Sequence, residues 1–122
     1  MTTNDIYFFD TYALVEIIEG SENYRSYKEA ELVITKLNLF ELFYALLKRN
    51  DIQKAVFYLD QFNQFVVDFD ENDIENAAKL KFSNKRLSMT DCIGYVVALK
   101  ADIKFLTGDK EFEIMRNVEF VK

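Results

Sequence analysis

Four acidic residues are spaced so that they could act together on one substrate, and they are called here the four acids: Asp10, Glu41, Asp91 and Asp109. The sequence contains no histidine, which removes the commonest general base and the commonest transition-metal ligand. Its single cysteine, Cys92, excludes an internal disulfide and a zinc site built from thiolates. What remains is carboxylate chemistry, and carboxylates suit hard, oxygen-preferring cations such as Mg²⁺ and Mn²⁺.

The apolar pattern predicts the elements that must position these acids. Short β-rich runs predict strands at residues 6–9, 32–34, 65–67, 103–106 and 118–121. Longer periodic stretches predict helices at residues 12–19, 22–30, 37–49, 52–62, 73–82, 89–101 and 110–115. Strands that alternate with helices pair in parallel through right-handed crossovers. We therefore expect residues 1–122 to form one α/β domain, a three-layer α/β/α fold with a central parallel sheet of about five strands.

The predicted fold brings the four acids to one edge of the sheet. Asp10 directly follows the first predicted strand, and Asp109 follows the fourth. Glu41 is placed in the first turn of the helix that leaves the second strand, and Asp91 in the first turn of the helix that enters the fourth. Open α/β sheets bind ligands outside the carboxyl ends of their strands. The four carboxyl groups are therefore expected to share one crevice.

Each acid also has a purely structural interpretation. Asp10 and Asp109 could cap the helices that follow them. Glu41 could complete a capping box begun at Asn38, and Asp91 one begun three residues earlier. About one residue in six is acidic, so chance alone would place acids at all four positions on the order of once in a thousand cases. The two interpretations are compatible, because the N-terminus of a helix also attracts anions.

Four stretches resemble the motifs of the PIN-domain family in order and spacing: Phe8-Phe9-Asp10-Thr11, Asn38-Leu39-Phe40-Glu41-Leu42, Met89-Thr90-Asp91-Cys92 and Leu106-Thr107-Gly108-Asp109-Lys110-Glu111-Phe112. The resemblance spans the whole chain and is closest to the single-domain VapC-type ribonuclease toxins of prokaryotes. It implies that the four acids are the catalytic cluster and bind Mg²⁺ or Mn²⁺. It also implies that Thr107 is the hydroxyl residue that orients them.

The function implied by this resemblance is a metal-dependent endoribonuclease that hydrolyses RNA phosphodiester bonds, as the toxin of a toxin–antitoxin pair. Clustered carboxylates repel one another, and a divalent cation removes that penalty and activates the scissile phosphate. A PIN-type RNA-processing nuclease without an antitoxin, or a catalytically silent PIN fold that serves as a binding module, are the alternatives. A receiver domain would need paired acids after the first strand, where Asp10 stands alone, and a dehalogenase-type phosphotransferase would need an aspartate at Tyr12.

Basic residues beside the acids are candidates for binding the RNA backbone: Lys81, Lys85, Arg86 and Lys110. The alternative is a solvated face whose charges balance the acids between residues 68 and 75. The chain carries a formal net charge of −6, which repels nucleic acid at long range. Binding of RNA would therefore depend on local basic groups and on the metal.

The predicted helices between residues 37 and 62 carry more apolar side chains than one face against a sheet can bury. A homodimer or an antitoxin protein would cover the surplus, and the alternative is burial between the two helices themselves. No apolar run is long enough to span a bilayer, and the first residues lack the features of a signal peptide. We therefore expect a cytoplasmic protein that does not contact a membrane.

Overall fold

The computed structural model describes residues 5–122, and its centre is a parallel sheet. The strands in these residues are β1 (Ile6–Phe9), β2 (Glu31–Val33), β3 (Lys104–Thr107) and β4 (Val118–Phe120). They lie in the order β2-β1-β3-β4, and each neighbouring pair is parallel. Phe9 stands opposite Leu106, and Thr107 stands opposite Phe120. The central strands therefore end at nearly the same level, which defines one carboxyl edge.

Five α-helices are described around this sheet: α1 (Thr11–Glu19), α2 (Lys36–Lys48), α3 (Ile52–Phe62), α4 (Glu71–Ser83) and α5 (Met89–Ala101). Three 3₁₀ segments lie between these helices and strands: Glu22–Tyr27, Asn63–Phe65 and Lys110–Phe112. The α/β class and the parallel sheet predicted from the sequence are confirmed. Within residues 5–122, no helix combines the length and the apolar character that a bilayer crossing requires.

Two features differ from the predicted elements. The apolar run at residues 65–67 contributes one parallel bridge, from Val66 to Ile34, where a third strand was expected. Helix α3 and the 3₁₀ turn after it extend to Phe65, so too little extended chain remains there for a full strand. The helices expected at residues 22–30 and 110–115 are short 3₁₀ segments.

Side chains that alternate along the strands divide the core into two layers. Phe8 and Phe105 pack with α4 and α5 on one face of the sheet. Phe9 and Leu106 pack with α1, α2 and α3 on the other face. Both faces are therefore covered, which explains why the strands are almost continuously apolar in sequence.

Helix α5 carries Asp91 in its first turn and is fixed by burial along its length. Every residue from Cys92 to Ala98 is buried. Near its other end, the ammonium of Lys100 contacts the buried carboxylate of Asp73 at 2.6 Å, which ties α5 to the first turn of α4. The position of the α5 N-terminus therefore follows from the packing of the whole helix.

Gly108 connects β3 to the acidic edge at a point where the backbone has no room for a side chain. A Cβ at this position would overlap the ring of Tyr12 and the carbonyl oxygen of Val121. The chain between Thr107 and Asp109 therefore passes closely between α1 and the segment after β4.

We predict that Gly108→Ala destabilises the fold, because the overlap includes a backbone oxygen that cannot turn away. Overpacking of this kind costs about 1–3 kcal/mol, which lowers the melting temperature on the order of 10 °C at the upper end. Calorimetry or circular dichroism melting measures the change. The matched control is Gly20→Asn, since no atom lies within 4 Å of a Cβ there and Asn tolerates its positive φ of 73°. A melting temperature for Gly108→Ala equal to that of the wild type would contradict the prediction.

Candidate active site

Asp10 is the most buried of the four acids, with 3% of its surface exposed. It follows β1 directly, and its backbone N–H donates to the carbonyl of Leu106 at 3.0 Å, which holds it beside β3. Its carboxylate accepts a hydrogen bond from the N–H of Thr11 at 2.8 Å and caps α1. The other carboxylate oxygen accepts from the hydroxyl of Thr107, also at 2.8 Å. The capping interpretation of Asp10 is thus confirmed, and the side chain also lies at the carboxyl edge.

Thr107 and Asp109 extend the same edge on the neighbouring strand. Thr107 is the last residue of β3, and its hydroxyl oxygen accepts the N–H of Asp109 at 3.0 Å. The carboxylate of Asp109 accepts from the N–H of Glu111 at 3.0 Å and so caps the 3₁₀ segment Lys110–Phe112. One threonine side chain therefore contacts both Asp10 and the backbone of Asp109.

Glu41 lies deeper in its helix than the sequence predicted. Helix α2 begins at Lys36 with Thr35 as its N-cap, so Glu41 is in the second turn. The capping box belongs to Thr35 and Asn38, which shows that the interpretation of Glu41 as a capping residue is wrong. The error arises because Thr35 and Asn38, three positions apart, both have side chains that cap helices well. The carboxylate of Glu41 instead accepts a hydrogen bond from the hydroxyl of Thr11 at 2.7 Å.

Asp91 combines a capping role with a place in the cluster. Its carboxylate accepts the N–H of Ser88 at 2.9 Å, and its own N–H donates to the hydroxyl of Ser88 at 3.0 Å. This reciprocal pair is the capping box expected from the sequence, and it closes the N-terminus of α5. The α5 N-terminus thus carries an acid that is held in a fixed orientation.

Electrostatic coupling connects Asp10 to two of the other acids. Burial raises the pKa of Asp10 well above its usual range, and the charge of Asp91 raises it further, with a smaller contribution from Glu41. The hydrogen bonds from Thr107 and Thr11 lower this pKa but do not cancel the increase. Ionising Asp10 in the folded protein therefore costs free energy.

Asp91 connects the remaining acid to the cluster. Burial raises its pKa first, and the charges of Glu41 and Asp109 raise it further, against the opposite effect of the hydrogen bonds from Ser88. All four acids are thus near enough to influence at least one other member. The structure brings together the residues that the sequence grouped.

The donor set of this cluster fits a hard divalent cation, because it offers carboxylate oxygens and strong negative potential. Among residues 5–122, no three ligating side chains already stand close enough to form a complete metal site. Like charges repel, so the carboxyl groups keep apart unless a cation lies between them. Binding of a cation would therefore require the side chains of the cluster to move together.

Two of the predicted substrate-binding lysines, Lys81 and Lys85, lie near the turn between α4 and α5. The ammonium of Lys81 donates to the carbonyl of Leu87 at 2.7 Å, and so stabilises this turn. Lys85 is exposed and lies over the ring of Phe82, 5.3 Å from its centre. Helix α4 ends at Ser83, so Lys85 lies beyond the helix that carries Lys81.

The other two basic candidates flank the 3₁₀ segment after Asp109. Arg86 lies 3.6 Å from the carboxylate of Glu111, and its side chain is largely exposed. Lys110 is exposed and adjacent in sequence to Asp109. Because the Arg86 side chain is largely exposed, this ion pair is weak.

Apolar side chains line a groove between α2 and α3, on the surface that the sequence predicted to be in excess. The groove has a volume of about 470 Å³ and is lined by Lys36, Leu39, Phe40, Phe43, Tyr44, Leu47, Leu59 and Asn63. Phe40 is 74% exposed and Tyr44 56% exposed. The two helices bury Leu42, Leu46 and Ala55 against the core but leave Phe40 and Tyr44 exposed to solvent. Packing of α2 against α3 therefore does not bury all of the excess apolar side chains on these two helices.

Thr11 and Asn38 contact each other beside Glu41, although the sequence did not single them out as site residues. The amide of Asn38 is buried and donates to the hydroxyl of Thr11 at 3.2 Å, and Thr11 in turn donates to Glu41. A weak signal was present, since residues 38 and 41 are three apart and lie on one face of a helix. The contact with Thr11 joins residues far apart in sequence, and no periodicity could have indicated it.

The model of the PIN domain family matches residues 7–118, so the chain belongs to the PIN-domain family. This confirms the resemblance inferred from the motifs. No curated protein matches the chain significantly.

Solved structures share the fold at low sequence identity. A toxin–antitoxin complex from Klebsiella pneumoniae is 20% identical with a TM-score of 0.73, over 93% of this chain and 95% of that chain. VapBC2 from Rickettsia felis, bound to a DNA fragment from its promoter, is 18% identical with a TM-score of 0.71, over 96% and 99%. VapBC-1 from nontypeable Haemophilus influenzae is 16% identical with a TM-score of 0.68, over 94% and 96%.

We predict that Asp10→Asn melts at or above the wild-type temperature in EDTA at pH 8, because Asn also caps helices and carries no charge to bury. The folded-state pKa of Asp10 is raised above its ordinary 3.8. Its contribution to stability is therefore fully present below the unfolded-state pKa and is lost as the pH rises through the folded-state pKa. The advantage of the variant should therefore shrink toward pH 4.

The exposed residue Asp68 supplies the control, since Asp68→Asn removes the same charge outside the cluster. Its melting temperature should follow that of the wild type at both pH values. A large loss of stability in Asp10→Asn at pH 8 would show that the ionised carboxylate is needed for the fold itself.

Proposed function

We propose that this protein is a Mg²⁺- or Mn²⁺-dependent endoribonuclease that hydrolyses RNA phosphodiester bonds, acting as the toxin of a toxin–antitoxin pair. The observation that carries the proposal is the group of four acidic side chains at the carboxyl edge of a PIN-domain sheet, each electrostatically coupled to at least one other. Burying such charges together costs stability, so a role in holding a cation gives a reason for the arrangement. The activity belongs in the cytoplasm, where cellular RNA is found.

The four acids would hold the cation; among them Asp10 is the most buried, and Asp91 is coupled to both Glu41 and Asp109. When bound, the cation supplies Lewis-acid activation of the phosphodiester and lowers the pKa of water. With no histidine in the chain, proton transfer must use carboxylates or water.

The residues around the acids keep them in place for this chemistry. Thr107 fixes Asp10 through its hydroxyl, and Ser88 fixes Asp91 through a reciprocal pair of hydrogen bonds. Helices α1 and α5 begin beside Asp10 and Asp91, so the N-terminal ends of both helices contribute positive potential near these acids, which would favour a phosphate there.

Substrate contacts are assigned to the exposed cations between α4 and α5 and beside Asp109. Arg86, Lys85 and Lys110 can contact phosphate groups, because they are exposed and engaged in weak pairs at most. Lys81 is already bonded to the carbonyl of Leu87, so its contribution to RNA binding is to shape the turn that carries Lys85 and Arg86.

The proposal of a toxin with a protein partner is supported by the three structural neighbours, which are described as toxin–antitoxin or VapBC complexes. The apolar groove between α2 and α3 is a suitable surface for an antitoxin segment or for a second copy of the chain. An RNA-processing nuclease without an antitoxin would have the same acids, and growth arrest upon expression in a bacterial host distinguishes the two roles.

We predict that Asp91→Asn and Asp10→Asn lower the rate of RNA cleavage by roughly 100-fold or more, because each removes a charge that holds the cation. Cleavage of a labelled single-stranded RNA with Mn²⁺ or Mg²⁺ measures the effect, and EDTA should abolish wild-type activity. Added Mn²⁺ should raise the wild-type melting temperature more than that of either variant, since only a bound ligand shifts folding.

Asp68→Asn is again the matched control and should cleave like the wild type. Cleavage that persists in EDTA, together with equal responses of all variants to Mn²⁺, would show that the acids serve only as caps. The nuclease proposal would then be wrong.

We also predict a homodimer at micromolar concentration that uses the groove between α2 and α3. Phe40→Lys should convert the dimer to a monomer, because it places a charge in the apolar contact. Light scattering after size-exclusion chromatography measures the mass. The control is Phe82→Lys on α4, a side chain that is 79% exposed and lies outside the groove. A wild-type monomer at all concentrations would exclude the homodimer, and dissociation by Phe82→Lys alone would move the interface to α4 and α5.

A further inference from the structure

Glu41 is supported differently from the other three acids. Asp10, Asp91 and Asp109 each accept a hydrogen bond from a backbone N–H at the start of a helical segment. Glu41 lies in the second turn of α2 and accepts a hydroxyl hydrogen bond from Thr11, which belongs to α1. Its longer side chain has more rotamers to lose, so its orientation depends on that contact.

The direction of each hydrogen bond around Thr11 can be assigned from chemistry. The N–H of Thr35 can only donate, and it lies 3.0 Å from Asn38 Oδ1, which fixes the orientation of the Asn38 amide. Asn38 Nδ2 therefore faces Thr11 Oγ1, at 3.2 Å, and donates to it. The hydroxyl hydrogen of Thr11 then points to Glu41 Oε1, at 2.7 Å.

We infer that Asn38 and Thr11 are positioning residues that set the orientation of Glu41 toward the cation. Asn38 is fully buried, so its amide has no water to compete for it. With Oε1 engaged by Thr11, the second oxygen of Glu41 is the one that remains for metal binding. The pair joins α1 to α2, so the same contacts hold two elements of the site together. This inference rests on the proposed metal-dependent function.

The test measures Mn²⁺ affinity with the metal alone, by the loss of the free-ion signal in electron paramagnetic resonance. Thr11→Val has nearly the same shape but lacks the hydroxyl, and it should weaken Mn²⁺ binding about 10-fold. Thr11→Ser restores the hydroxyl and should bind within about twofold of the wild type. RNA cleavage by Thr11→Val should recover when the Mn²⁺ concentration is raised.

A double-mutant cycle shows whether Thr11 acts through Glu41. In the Glu41→Gln background, Thr11→Val should change Mn²⁺ affinity by less than about twofold, because the group that it positions is already altered. Asn38→Ala should weaken Mn²⁺ binding when Thr11 is present. In the Thr11→Val background, Asn38→Ala should have no further effect on Mn²⁺ affinity. Circular dichroism melting in EDTA establishes that each variant is folded, and Thr11→Val and Thr11→Ser remain informative if Asn38→Ala does not fold.

The inference would be overturned if Thr11→Val bound Mn²⁺ with wild-type affinity. It would also be overturned if Thr11→Val lowered Mn²⁺ affinity by the same factor in the wild-type protein and in the Glu41→Gln background. Asp10→Asn separates this outcome from a failure of the proposed function. Loss of Mn²⁺ binding in Asp10→Asn, with normal binding in Thr11→Val, would refute the positioning role alone. Normal binding in both would refute the metal site as well.

Discussion

The hydrogen bond from the Thr107 hydroxyl to Asp10 joins the ends of the two central strands, and the arrangement of the acidic edge depends on it. The same hydroxyl accepts the N–H of Asp109, so one side chain fixes two acids on different strands. This is possible because the parallel register places Phe9 opposite Leu106, which brings the residues after both strands to one level. A shift of one residue would turn Thr107 to the opposite face of the sheet.

The fold opposes the repulsion among the acids with local hydrogen bonds. Each aspartate of the cluster also caps a helical segment, so one side chain both accepts a backbone N–H at the start of that segment and contributes charge to the site. Capping favours an ionised oxygen, whereas burial and neighbouring charges favour a protonated one. For Asp10, burial and the neighbouring charges outweigh the hydrogen bonds, so its pKa is raised. The free-energy cost of assembling the cluster therefore falls mainly on Asp10, its most buried member.

Much of this architecture could be predicted from the sequence, because the alternation of apolar runs with helical periods specifies a parallel α/β sheet. The apolar run around Val66 could not be assigned reliably, because a run of three residues does not distinguish a strand from a single bridge. The predicted start of α2, residue 37, lies one residue from the observed start at Lys36, but its capping box was assigned to Asn38 and Glu41 because Thr35 and Asn38 are both good capping residues. The bond of Lys81 to a carbonyl and the contact of Thr11 with Asn38 depend on tertiary packing, which residue types alone do not encode.

The parallel sheet also determines where an attached protein would stand. Strand β1 begins at the edge far from the acids, whereas β4 runs toward them and ends level with Thr107. The carbonyl of Lys122 is held on this side by the amide of Asn23, which belongs to the segment after α1. A fluorescent protein joined at Lys122 would therefore crowd the acidic edge and hinder large ligands from reaching it. Strand β1 begins at the opposite edge, so its first residue, Ile6, lies away from the acids.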